Sequence, residues 1–425
     1  MGLMRQIRRP GKTLRAVLCA ALLALPWAGA AHASPELFKE QTEHYSIETD
    51  VSPEFARLVG AHMEEIFKEY SHRFGNYGQM TLRFRVAVFD DEEQYRKLTP
   101  PQVKGSTGVF VSYDQLLAAH RHGRTTEEVL RTLYHEGLHQ FMYNVVSQEC
   151  PVWLNEGLAE YFAEATWNGE GFTTGQVPTL RLHMVRSAIA RGRYIPLAQL
   201  FTMGPDRWLQ NVSTNSHRAD LFYSQAWSLA HFLIHAEGGR YAGMLSRFLK
   251  ELSEREDQEE AFRVSFGTDV GGFETAWAQY VISLKPSPKF RCRDNMEALM
   301  LLARLVYEDP RTFDSVSDLR HRLLHSRRYG WQITRATGET LKWDQTEEVA
   351  KLFRCPYHEE GGISYVIVRH TPTQMPMLIC NHHPGVIIKA YYRPTSYGGL
   401  AVAVEEQVRD TVPDDLKQAI LDASK

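Results

Sequence analysis

Apolar and polar positions alternate early in the chain and switch to a helical spacing further on. Residues 44–49, HYSIET, alternate and predict a strand. Ser52-Pro53 then opens a helix, with serine as cap and proline at the first helical position. Phe55, Leu58, Val59, Ile66, Phe67 and Tyr70 recur at helical spacing to about Arg73. Residues 81–89, TLRFRVAVF, predict a second strand, and the acidic run DDEEQYRKL after it a short helix. Residues 107–113, TGVFVSY, read as a further strand, with QLLAAHR at 115–121 returning beside it.

Beyond residue 125 the period is helical. Thr125 and Glu128 form a capping box. Leu130, Leu133, Tyr134, Leu138, Phe141 and Met142 continue the apolar face, so a helix is expected over about 125–145. A second helix begins at Pro151, and others are expected at about 178–191, 219–236, 239–253, 257–265 and 271–284. Strands first and helices afterwards make an α+β fold, a small N-terminal sheet followed by a mostly helical subdomain. The prolines of KPSPK, 285–289, mark a boundary. After it comes a helix, NMEALMLLARLVYE, and then strand-like segments from about residue 330. The expected organisation is therefore a first domain over 34–285 and a smaller C-terminal α+β domain over 286–425.

The N-terminus changes the picture of where the protein acts. Arg5, Arg8, Arg9, Lys12 and Arg15 precede an apolar run of 15 residues from Ala16 to Ala30, and Ala31-His32-Ala33 has the small-x-small form of a cleavage site. Residues 1–33 read as a signal peptide, with an uncleaved anchor as the other reading. An exported protein is implied, periplasmic or secreted in a bacterium, and not transmembrane once the signal is removed. That removal takes five of the 48 basic residues and none of the 51 acidic ones, leaving a net charge of about −8. No concentrated basic face remains to argue for a nucleic-acid partner.

The chemistry-bearing motif is His135-Glu136-Gly137-Leu138-His139, an HExxH pattern inside the expected helix. Histidines four apart stack on one helix face and can share one Zn²⁺. A catalytic zinc needs a third protein ligand and a nearby base. Glu136 is placed to be the base. Twelve residues after His139, at Pro151, begins the helix carrying WLNEGLAEYF, on which Glu156 and Glu160 share a face. Glu156 is the candidate third ligand, and Glu160 the candidate acceptor for the outer N–H of a ligand histidine. Gly137 and Gly157, inside these two helices, point to close approach of neighbouring elements.

HEGLH followed by WLNEGLAEYF resembles the gluzincin metallopeptidases, and most closely the peptidase MA-like domains of unknown function in exported bacterial proteins. That likeness spans residues 43 to about 240 and includes EHYSIETDVSPEFAR and YSQAWSLAHFL. The resemblance implies that His135, His139 and Glu156 bind zinc and that Glu136 is the catalytic base. It implies a peptide or protein substrate, and makes Tyr223 a candidate for stabilising the oxyanion, with His231 second. Tyr223 as a core aromatic is the competing reading. The strand at 107–112 is a candidate edge for an extended substrate. The rival function is a catalytically inactive peptidase-fold protein that binds or scaffolds in the envelope.

Cys19 leaves with the signal, and Cys150, Cys292, Cys355 and Cys380 remain. CPYH at 355–358 and CNHH at 380–383 form a C-x2-H…C-x2-H pattern. Two readings stand for it, a Cys355–Cys380 disulfide and a structural zinc knuckle. Cys150 and Cys292 carry no signal by position.

Overall fold

The computed structural model describes residues 37–75, 83–100, 105–254, 257–325, 330–358, 362–369, 374–395 and 399–424. The signal-peptide segment, 1–33, lies outside the described residues. The fold is mixed α+β. Described residues fall into two compact units, one holding 37–68 and 83–145, the other 69–75 and 146–424.

The first unit is built on a five-stranded sheet. Its strands are β1 (Phe38–Gln41), β2 (Tyr45–Thr49), β3 (Phe84–Phe89), β4 (Gly108–Val111) and β5 (Leu116–His120), in the order β1-β2-β3-β5-β4. The pairs β2–β3 and β3–β5 are parallel, and the two outer pairs are antiparallel. Three helices accompany it, α1 (Pro53–Phe74), α2 (Glu92–Leu98) and α3 (Thr126–Phe141). The parallel pairing of β2 and β3 needs a crossover, and α1 supplies it. Tyr45, Ile47, Val59, Met63, Val86, Val88 and Leu117 are all but removed from solvent. The alternation of β2 is realised directly: Tyr45, Ile47 and Thr49 point inward, with Ser46 and Glu48 half-buried between them. β1, which has no alternating apolar set, is held by pairing to β2.

The second unit opens with eight helices: α4 (Val152–Ala163), α5 (Thr179–Ala190), α6 (Leu197–Phe201), α7 (Pro205–Thr214), α8 (Ser216–His235), α9 (Arg240–Glu254), α10 (Gln258–Phe266) and α11 (Val270–Ser283). Between α4 and α5 lies a small hairpin, β6 (Thr166–Trp167) with β7 (Phe172–Thr173). α8 is buried almost along its whole length from Phe222 to Ile234, so it forms the centre of this bundle. The two short helices α6 and α7 occupy a stretch where no helix was expected. Pro196 and Gly204 precede them, and Pro205 starts α7 at its first position.

The remainder of this unit carries α12 (Pro288–Val306), α13 (Val316–His325), the hairpin β8 (Gln332–Thr334) with β9 (Thr340–Lys342), and α14 (Thr346–Lys351). A four-stranded antiparallel sheet follows, β10 (Val366–Val368), β11 (Met377–Cys380), β12 (Val386–Pro394) and β13 (Leu400–Val408), in that order. α15 (Asp414–Ala423) closes the described chain. Leu299, Leu302, Phe313, Leu319, Phe353, Leu378 and Ile388 form one apolar core here. Among the described residues no helix is long and apolar enough to cross a membrane.

Candidate metal centre

The helix carrying the motif starts where the capping box placed it. Thr125 Oγ1 accepts from the Glu128 N–H at 3.2 Å, and Glu128 Oε2 accepts from the Thr125 N–H at 2.9 Å. Two of the orphan donors at the helix start are thereby satisfied. From Leu133 to Phe141 every residue of α3 is buried. Gln140 Nε2 donates to the Arg85 and Gln115 carbonyls at 3.3 and 3.2 Å, fixing the rotation of the helix against the strands.

That rotation directs two imidazoles at one point. His135 and His139 are buried, and their Nε2 atoms stand 3.1 Å apart. Two nitrogens on one tetrahedral zinc, each about 2.0–2.1 Å from it, would lie about 3.3 Å apart. Glu156 on α4 is equally buried, and one ligand atom from each of the three residues lies within 4.8 Å of the others. Two imidazole nitrogens and a carboxylate are a hard-to-borderline donor set that suits a divalent metal. His135, His139 and Glu156 can therefore hold a metal ion.

Glu136 is fully buried beside the two histidines on α3. Its Oε2 accepts a hydrogen bond from the Phe110 N–H of β4 at 2.9 Å. The close passage of β4 depends on Gly108, where an added Cβ would overlap the Thr132 methyl and crowd the Ala118 carbonyl. Phe110 carried no side-chain signal for this role, because it acts through its backbone.

α4 begins at Pro151, whose carbonyl accepts from the Leu154 and Asn155 N–H groups, both at 3.0 Å. Gly157, next to Glu156, lies against the Ala226 carbonyl of α8, and a Cβ there would overlap it. The expectation of a close neighbour at this glycine is met. Glu160, one turn after Glu156, forms an ion pair with Arg181 of α5, which also pairs with Glu164 at 3.0 Å. Burial pulls the Arg181 guanidinium down, but Glu160 and Glu164 outweigh it and hold it above its ordinary value. Arg181 had no motif to announce it, because its partners are set by how α5 lies on α4.

Tyr223 lies on α8, buried, with its ring edge-on to Trp208 at 5.8 Å. His231 is on the same helix. Its Nε2 donates to the Gly175 carbonyl at 3.2 Å and its Nδ1 accepts from the Tyr280 hydroxyl at 2.7 Å. Burial, reinforced by His235, pulls its pKa down to about 4, so it is neutral at physiological pH. With both ring nitrogens engaged by neutral groups, His231 is a bundle histidine.

A family model described as "Protein of unknown function (DUF1570)" matches residues 129–258. The matched stretch runs from α3 through α9 and takes in His135, Glu136, His139 and Glu156. Comparison with curated proteins and with solved structures found no match.

Proposed function

We propose that the protein is a zinc-dependent metallopeptidase of the gluzincin type, with His135, His139 and Glu156 as ligands and Glu136 as general base. The convergence of the two Nε2 atoms and the Glu156 carboxylate, with Glu136 on the same helix, carries the reading. Zinc held there supplies Lewis acidity, polarising a carbonyl and making water a better nucleophile at neutral pH. Glu136 takes the proton from the attacking water and delivers it to the leaving amine. The Phe110 N–H orients the Glu136 carboxylate for that transfer. β4 is the terminal strand of its sheet, and an extended peptide adding along its outer edge would run past Glu136. Tyr223 is assigned to the oxyanion on the strength of the family resemblance alone. The basic-then-apolar N-terminus supports export, so the substrate is an envelope or extracellular peptide or protein.

Purified protein incubated with a diverse peptide library should show cleavage that a chelator abolishes and zinc restores. Glu136→Gln should keep stoichiometric metal and lose about 10²–10⁴ of the rate. Full activity in that variant removes Glu136 from the chemistry. Metal retention with no cleavage in the parent chain favours the inactive binding or scaffolding protein instead.

A further inference from the structure

A second cluster of metal-ligating side chains lies within the 146–424 unit. Cys292, Cys355, Cys380 and His383 each offer a ligand atom, and the four atoms all lie within 4.8 Å of one another. The three cysteines are fully buried and none is in a disulfide, while His383 is 2% exposed. Cys355 Sγ and His383 Nε2 are 3.4 Å apart. A sulfur at about 2.3 Å and a nitrogen at about 2.0–2.1 Å from one tetrahedral zinc would be separated by about 3.6 Å.

The ligands come from three distant segments. Cys292 sits in the first turns of α12, Cys355 opens a turn in which the His358 N–H returns to the Cys355 carbonyl at 2.8 Å, and Cys380 with His383 flank the β11–β12 turn. Of the C-x2-H…C-x2-H pattern, the second half keeps its histidine and the first does not. His358 instead stacks on His382, with ring centroids 4.2 Å apart. Cys292, which no local spacing singled out, takes the fourth position.

The surroundings hold these ligands in place. Arg409 Nη2 donates to the Asn381 and His383 carbonyls at 2.8 and 2.9 Å, pinning the turn that carries His383. The Tyr357 ring packs edge-on against His383 at 4.7 Å. The Tyr365 hydroxyl lies 3.8 Å from Cys292 Sγ and donates to the Arg354 carbonyl at 3.0 Å. Cys355 also borders a cavity of about 590 Å³ lined by Arg291, Asp294, Lys351 and Arg354.

We propose that Cys292, Cys355, Cys380 and His383 form a closed tetrahedral zinc site that cross-links α12, the segment after α14 and the β11–β12 turn. A disulfide would use two of the three sulfurs and leave the third, with an imidazole, buried beside it. Zinc uses all four groups. Four protein ligands leave no open position, so the site is structural. It joins segments 91 positions apart, from residue 292 to residue 383, and so contributes folding energy to a region of short strands.

The test separates this site from the proposed catalytic one, which contains no sulfur. Full-length chain purified under reducing conditions is loaded with Co²⁺, with and without His139→Ala. Thiolate-to-cobalt charge-transfer absorption should appear in both, and in His139→Ala it should saturate at one equivalent of Co²⁺. One equivalent of zinc should likewise remain in His139→Ala and be released by a mercurial thiol reagent. Cys292→Ser should lose most of that absorption, and Cys380→His, which keeps four ligands, should retain part of it. Because the unmodified chain is itself read out, a Cys292→Ser chain that fails to fold leaves the test intact. Absence of the charge-transfer band in the unmodified chain overturns the site. So does a Cys355–Cys380 disulfide in protein isolated from its native compartment, since oxidation and zinc compete for the same sulfurs.

Discussion

The backbone N–H of Phe110 donates to the carboxylate of Glu136 at 2.9 Å, joining the terminal strand of the first sheet to the helix of the HExxH motif. A carboxyl group with no exposure needs such a donor, because a polar group buried without one costs several kcal/mol. The same bond ties the position of the proposed base to the strand proposed to receive substrate.

Gly108→Ala tests that coupling. Its methyl group would overlap the Thr132 methyl and shift β4 from α3. Metal content should stay at the parent level while the rate falls. Thr132→Ser, which removes the obstructing methyl, should recover part of the loss in the double variant. No recovery would mean that the rate loss does not arise from this contact.

Gly157→Ala should destabilise the second unit, because the new methyl would overlap the Ala226 carbonyl where α4 crosses α8. Backbone cannot step aside as a flexible side chain can, so a loss of about 1–3 kcal/mol is expected in urea unfolding. Gly157→Ala with unchanged stability would show that the two helices can separate without cost.

Stability should fall as the solution is acidified from about pH 6.5 towards 4. Burial holds His62 and His231 at about 4, against an ordinary value of 6.5. Between those values the unfolded chain binds more protons than the folded one. The contribution is therefore complete above pH 6.5 and is lost as pH drops. It amounts to at most about 3 kcal/mol for each histidine. Urea midpoints across this range should show a shallower decline in His231→Gln than in the parent; parallel profiles would exclude His231 as a source.

Glu406 of β13 is buried between Lys289 at 3.1 Å and Arg293 at 2.6 Å, and Lys289 also donates to Thr166 at 2.7 Å. Burial alone would raise the Glu406 carboxyl, but the two cations outweigh it and hold it at about 2. Glu406→Gln strands both cations and should cost about 3–5 kcal/mol. Adding Lys289→Met should return some of that loss, a non-additivity that a double-mutant cycle would read. Strict additivity would mean that the two residues act independently.

Where local patterning was strong, the chain alone was enough. The capping box at Thr125 put the start of α3 within one residue, and the proline at 151 did the same for α4. The helices expected at 178–191, 219–236, 239–253, 257–265 and 271–284 appear within three residues of those bounds. The strands at 107–113 and 115–121 pair antiparallel, as their proximity suggested. β1 and α6 escaped because they are short, and their neighbours rather than their own sequence stabilise them, while α7 is marked only by Trp208 and Val212, four positions apart on its buried face.

Sequence by itself determined which residue types the proposed catalytic site offers: the i, i+4 geometry of a helix puts His135 and His139 on one face wherever that helix lies. Only the tertiary structure decided what those residues meet. The strand order that sets β5 between β3 and β4, the amide of Phe110 on Glu136, Arg181 on Glu160, and the choice of Cys292 over His358 all depend on packing between elements far apart in the chain. The physical reason is one of range. Capping and periodicity act within a few residues, whereas a buried carboxylate or thiol is satisfied by whichever group the fold brings to it.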